Sequence, residues 1–103
     1  MSEVEADQLK QAVENTHGGT ATFVQTVPVR EVHGDELVWQ GMVHVFDLAG
    51  HPTATRAYAW SSAVANSARR RFYAVLHTER INSPLEAVRA AIVAEHKSPG
   101  RSG

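Results

Sequence analysis

Arg69, Arg70 and Arg71 run directly into Phe72 and Tyr73, and a second aromatic pair, Tyr58 and Trp60, lies one strand earlier in the chain with Arg56 beside it. Guanidinium groups next to aromatic faces hold phosphates and stack bases, so this constellation is the chain's nucleic-acid signature. The other reading of three arginines entering a strand is a charged guard against edge-to-edge aggregation. Six histidines (His17, His33, His44, His51, His77, His96) raise the question of a metal, but no two stand two or four residues apart, the spacings that preform a site on a strand or a helix. His44 and His77 fall mid-strand, where a half-buried, hydrogen-bonded histidine is the ordinary outcome. There is no cysteine, which excludes disulfides, a zinc knuckle and a thiol nucleophile together. Asp35, Glu36 and Asp47 fall at turns or strand ends, and Gly18-Gly19 follows a helix instead of opening one, so neither a carboxylate pair nor a phosphate cradle is formed. The expectation is a chain with no catalytic residue, no cofactor and no metal.

The 103 residues carry 10 basic and 11 acidic side chains, a net charge of -1. A chain of this length folds as one domain and removes roughly 65% of its extended surface from water. The charge is unevenly spread, with seven acids and two bases in residues 1–36 and four acids and eight bases in 37–103. A net charge near zero speaks against non-specific nucleic-acid affinity, which comes from neutralised phosphates. Residues 1–7 are acidic and show neither the basic start nor the apolar run of a leader, and no apolar run reaches the ~18 residues of a membrane span. With the absence of cysteine, this predicts a cytoplasmic protein that makes no membrane contact.

The elements that must position these groups follow from local pattern. Ser2 and Glu5 have capping-box spacing, Ala6, Leu9 and Val13 recur at helical spacing, and Gly18-Gly19 stops the chain, which predicts a helix over 3–16. β-Branched and aromatic residues crowd 20–32 and predict a strand, with Pro28 confining it to an edge or marking a bulge. Gly34-Asp35 reads as a two-residue turn into a second strand over 36–46 that is apolar on both faces and therefore central. That turn sets Trp39 across from Arg30, Met42 across from Val27 and Pro28 across from Gly41, where either a bulge or a close approach to the backbone is expected. A short turn at Ala49-Gly50 leads to a third strand over 53–61, no structure is assigned to 62–68, and a fourth strand occupies 72–78. Ser83 as N-cap, Pro84 at the first position and Glu86 two residues on start a helix to His96, with Leu85, Val88 and Ile92 as its buried stripe. The fold class is α+β, an antiparallel meander of three to four strands in the order α-β-β-β-β-α, with both helices on one face. It occupies residues 1–97, and 98–103 form a disordered tail.

The order helix, antiparallel strands, helix resembles double-stranded-RNA-binding domains, and Arg89-Ala90-Ala91 falls near the alanines of that family's last helix. Where that family opens the helix with phosphate-gripping lysines, this chain has Ser83-Pro84-Leu85-Glu86 and no base before Arg89. The runs Trp39-Gln40-Gly41 and Ala57-Tyr58-Ala59-Trp60 are similar to those of small uncharacterised bacterial proteins, a resemblance that implies no activity.

Two helices on one face leave the other face carrying Tyr58, Trp60 or Trp39 toward water, and a rimmed aromatic patch marks an interface. The leading expectation is thus a non-enzymatic protein-interaction or regulatory module that meets a partner or a second copy of itself, with Tyr58, Trp60, Arg69, Arg70 and Arg71 as contact residues. The alternative is nucleic-acid binding through the arginines and their aromatic neighbours.

Overall fold

The computed structural model describes residues 3–63 and 68–96. Its elements are α1 (Glu3–His17), β1 (Thr20–His33), β2 (Glu36–Ala49), β3 (Arg56–Ala63), β4 (Arg70–Leu76) and α2 (Pro84–His96). The strands form one antiparallel sheet in the order β1-β2-β3-β4, so the α+β meander expected from the sequence is present. No helix among the described residues is long and apolar enough to cross a membrane. The proposed tail at 98–103 and residues 64–67 of the connector lie outside the described residues, whereas Ser62 and Ala63 belong to β3.

The helices do not share a face. Leu9 and Val13 of α1 pack with Phe46, Leu48, Ala57 and Ala59, while Ala87 and Val88 of α2 pack with Val43, Val45, Tyr58 and Trp60. Consecutive strand residues point to opposite faces, so these are two cores on either side of one sheet. The correction has a physical reason in β2 and β3, each apolar on both faces. A sheet of that kind needs a cover on each side, because Tyr58 and Trp60 each bury on the order of 150–250 Å², about 4–6 kcal/mol per ring at ~25 cal/mol per Å². Alanines at 57, 59 and 74 let α1 approach closely, and the bulkier side takes α2.

The start of α2 and the end of α1 follow local chemistry, and Ser2, the expected cap of α1, lies outside the described residues. Ser83 Oγ accepts from Glu86 N (3.2 Å), and the Glu86 carboxylate accepts from Asn82 N (3.0 Å). Of the expected α2 stripe, Val88 is fully buried and Leu85 and Ile92 are half-buried against the same core. At the end of α1, Gly18 and Gly19 take positive φ, and a Cβ at Gly19 would stand 2.6 Å from the Ala49 carbonyl oxygen. Glycine is therefore required there to bring α1, β1 and the end of β2 together.

The β1–β2 pairing corrects the predicted register. His33↔Glu36 and Val32↔Leu37 pair as the tight turn requires, with Gly34 at φ 63°. Between Glu31 and Val32 the register slips by one, so Trp39 faces Glu31, Met42 faces Pro28 and Gly41 faces Val29. Val38 is the extra residue. A second slip between Phe23 and Gln25, with Val24 extra on the other strand, restores the first register. The two bulges cancel, and each adds local twist to a long ribbon. Neither is at Pro28, which sits on an edge strand as its missing donor demands. The close approach anticipated at Gly41 is real: a Cβ there would meet the Trp39 ring at 2.8 Å.

The second connection is longer than the short turn predicted, since β2 runs to Ala49 and β3 begins at Arg56. His51 organises it, its Nδ1 accepting from Thr53 N (3.1 Å) and Ala54 N (3.0 Å), while Leu48 N donates to Thr55 O (2.9 Å). β4 starts at Arg70, two residues before the predicted start, which places Arg70 and Arg71 within the strand.

Candidate functional site

Two regions along the β1–β2 ribbon hold side chains that the fold leaves available. The first is the sheet edge formed by β1. Thr20 to Val29 contains no charged residue, and Phe23 and Val24 remain 44% and 41% exposed. The Phe23 ring stands edge-on to Phe46 (5.9 Å) at the border of the α1 core. The opposite edge, β4, is entered through Arg69, Arg70 and Arg71, all exposed.

The second region is a wedge between β2 and β3. Their ladder covers only His44↔Ala59 to Asp47↔Arg56, whereas β2 pairs with β1 along its whole length. Beyond His44 the strands splay. On the α2 face the gap is filled: Trp39 folds back over Gly41, stands edge-on to Trp60 (6.1 Å), and its indole Nε1–H donates to Ser62 Oγ (2.9 Å). Trp60 in turn stacks on Tyr73 at 5.2 Å and 8°. On the α1 face the gap is a cavity of about 740 Å³, with Glu5, Thr26, Met42, His44, Ser61 and Arg70 in its wall.

His44 is the one buried polar side chain among the described residues, at 2% exposure. Its Nδ1 shares a hydrogen bond with Thr26 Oγ1 at 2.9 Å. Burial holds its pKa below the ordinary histidine value, partly opposed by the Glu5 charge, so the ring is neutral near pH 7. Arg70 is clamped on Ser61, with Nε donating to Oγ (2.9 Å) and Nη2 to the carbonyl oxygen (3.1 Å). The same hydroxyl reaches the Glu5 carboxylate at 3.4 Å.

The residues singled out from the sequence are dispersed by this arrangement. Tyr58 and Trp60, expected on an open face, are each 2% exposed beneath α2. The Tyr58 hydroxyl is shared with His77 Nδ1 (2.8 Å), and burial holds its pKa above the ordinary tyrosine value. Arg70 and Arg71 alternate faces, Arg70 on the cavity side and Arg71 over the Tyr73 ring at 5.4 Å. The arginine run is therefore not one basic platform beside Tyr58 and Trp60, although Phe72, exposed, and Tyr73 stay next to it. Histidines do structural work: His17 bonds the Ala74 carbonyl (2.8 Å), His51 ties a turn, and His77 meets Tyr58. Among the described residues no group of three His, Cys, Asp or Glu is placed to hold a metal. Sequence reading missed the cavity residues Thr26, Ser61 and Glu5. The only signal for them was the offset between a long β2 and a short β3, which element lengths alone do not turn into a splay.

Compared with protein-family models, with curated proteins and with solved structures, the chain matches none.

Proposed function

We propose that the protein is a non-enzymatic interaction module that takes a protein partner as an added strand on β1, the first such partner being a second copy of the chain. The observation that carries this reading is the contrast between the two sheet edges. Natural sheets protect edges with charge, bulges, proline or short length, because unpaired N–H and C=O groups template further strands. β4 is short and entered by three arginines, and β1 is 14 residues long with its first ten uncharged. Pro28 and the Val24 bulge limit how far pairing can run without closing the edge.

Strand addition supplies backbone hydrogen bonds for affinity, and the exposed Phe23, Val24 and nearby Met42 supply apolar surface for selection. Because β4 is guarded, β1 pairs with β1, a two-fold arrangement that closes instead of propagating. The cysteine-free composition supports a reducing compartment such as the cytoplasm. Nucleic-acid binding has less support, since Arg70 and Arg71 point to different faces and Tyr58 and Trp60 are in the core, which leaves Phe72 as the exposed ring beside the run.

Light scattering coupled to size exclusion tests the proposal. The expected wild-type mass is that of two chains, falling to one in Val24→Lys and unchanged in Arg70→Ala/Arg71→Ala. A wild-type chain that stays monomeric across the accessible concentrations and pulls down no strand-forming peptide would sink it.

A further inference from the structure

The wedge cavity raises a question the strand edge does not answer, because two of its polar groups are held in place with capacity to spare. Arg70 makes two hydrogen bonds, both to Ser61, and among the described residues no carboxylate lies within ion-pair distance of it. His44 is buried, spends Nδ1 on Thr26, and among the described residues has no partner at Nε2. No buried side-chain nitrogen or oxygen in the described residues lacks a partner. Nε2 is therefore not sealed in the core but opens on the cavity that His44 lines. Ser61 lies two residues from Ala59, the cross-strand partner of His44, so the arginine clamp and the imidazole share one face and one end of the wedge. Met42, 49% exposed, and the Trp39 wall provide apolar surface beside them.

We propose that this wedge binds an organic monocarboxylate, with Arg70 and the His44 Nε2–H as donors to the carboxylate and Met42 and Trp39 against an apolar body. A guanidinium is suited to a carboxylate by its planar donor fork, and the Ser61 clamp removes most of the rotamer entropy that an arginine loses on binding. For Nε2 to donate, the Thr26 hydroxyl must donate to Nδ1, a role the Thr26 hydroxyl is free to take. The charge inventory sets the valence. Among the described residues Arg70 is the one cation in the wall and Glu5, on the far bond of Ser61, already balances its charge, so a dianionic phosphate would bring two uncompensated charges, whereas a monocarboxylate brings one and meets the guanidinium directly. The volume, about 740 Å³, falls within the roughly 300–1,000 Å³ of small-ligand sites. The carboxylate belongs either to a free small acid or to the C-terminus of a peptide, and these share the same recognition.

The test is an NMR titration that follows the two tryptophan indole N–H signals, Trp39 lining the wedge and Trp60 buried behind it. Sodium hexanoate is expected to shift the Trp39 signal saturably, with hexanamide at least tenfold weaker, the difference a charge-assisted pair supplies. Arg70→Gln, at an exposed position that leaves the fold intact, should make acid and amide bind alike. Ser61→Ala, which removes the Oγ bond of the clamp and leaves the one to the carbonyl, should weaken the acid several-fold, and Glu5→Gln should tighten it by removing a like charge. An acetylated apolar tripeptide is compared with its C-terminal amide: preference for the free acid supports the site, and its affinity relative to hexanoate names the source. Equal binding of hexanoate and hexanamide to the wild type, or no saturable shift with any of the acids, would overturn the assignment.

Discussion

The two faces of the sheet meet the same splay between β2 and β3 in opposite ways. Under α2, Trp39, Trp60 and Tyr73 form a continuous aromatic layer in which the Trp39 N–H is met by Ser62. Under α1 the β3 and β4 residues are small, Ala57, Ala59 and Ala74, and the helix passes close to the sheet and meets the wedge at its first turn through Glu5. Large rings fill a gap from a distance, and small residues draw a helix in but leave the gap beside it open. The difference teaches that a cavity here arises from side-chain size on one face, with no insertion or loop needed to build it.

The sharpest way to break the contrast is to remove the seal. Trp60→Ala is expected to cost about 3–5 kcal/mol by loss of burial and cavity formation, read as a fall in the denaturant midpoint. A loss under 1 kcal/mol would mean that the aromatic layer is not the core of that face. Next in size is Gly41→Val, which places side-chain atoms where the Trp39 ring lies at 2.8 Å from a Cβ. Displacing the ring should cost about 1–3 kcal/mol and shift the Trp39 indole resonance, while Gly34→Asn, at a turn with open space around it, should be nearly silent.

The open face can be sharpened through pH. Burial depresses the His44 pKa below 6.5 in the folded chain, whereas the unfolded chain takes up the proton near pH 6.5. The unfolded state then binds more protons as pH falls through that window, so stability rises with pH between the folded pKa and 6.5 and is lost below it. His44→Gln, which keeps a polar group toward Thr26 without titrating, should flatten this part of the melting-temperature profile. An unchanged slope would assign the acid sensitivity elsewhere. The smallest effect is expected at the tie between α2 and the ribbon, where Arg89 Nε bonds both Glu31 oxygens at 3.0 and 2.8 Å. Arg89 is 54% exposed, so Glu31→Gln should cost about 0.2–1 kcal/mol and less at high salt.

Most of the fold was legible because its signals are local. The capping residues around Ser83, the glycine stop at Gly18-Gly19 and the Gly34-Asp35 turn each act within a few residues, and each element appears where they place it. The bulges at Val24 and Val38 were not legible from local pattern; the slip at Val38 adjoins Trp39 and Glu31, which meet Trp60 and Arg89 from tens of residues away in the chain. Nor was the side of the sheet chosen by each helix, although the apolar residues on both faces of β2 already required two covers.

The chain's own order of residue types determined an α+β meander of three to four antiparallel strands with a helix at each end, a second strand apolar on both faces, and a Pro28 that needs either an edge or a bulge. Tertiary structure alone decided that Tyr58 and Trp60 are core and not surface, that the arginine run divides between faces, and that His44, Ser61 and Arg70 meet at an open wedge. The reason is that alternation along a strand assigns a residue to a face, but which face is sealed depends on the volumes that several strands and a helix bring to the same place.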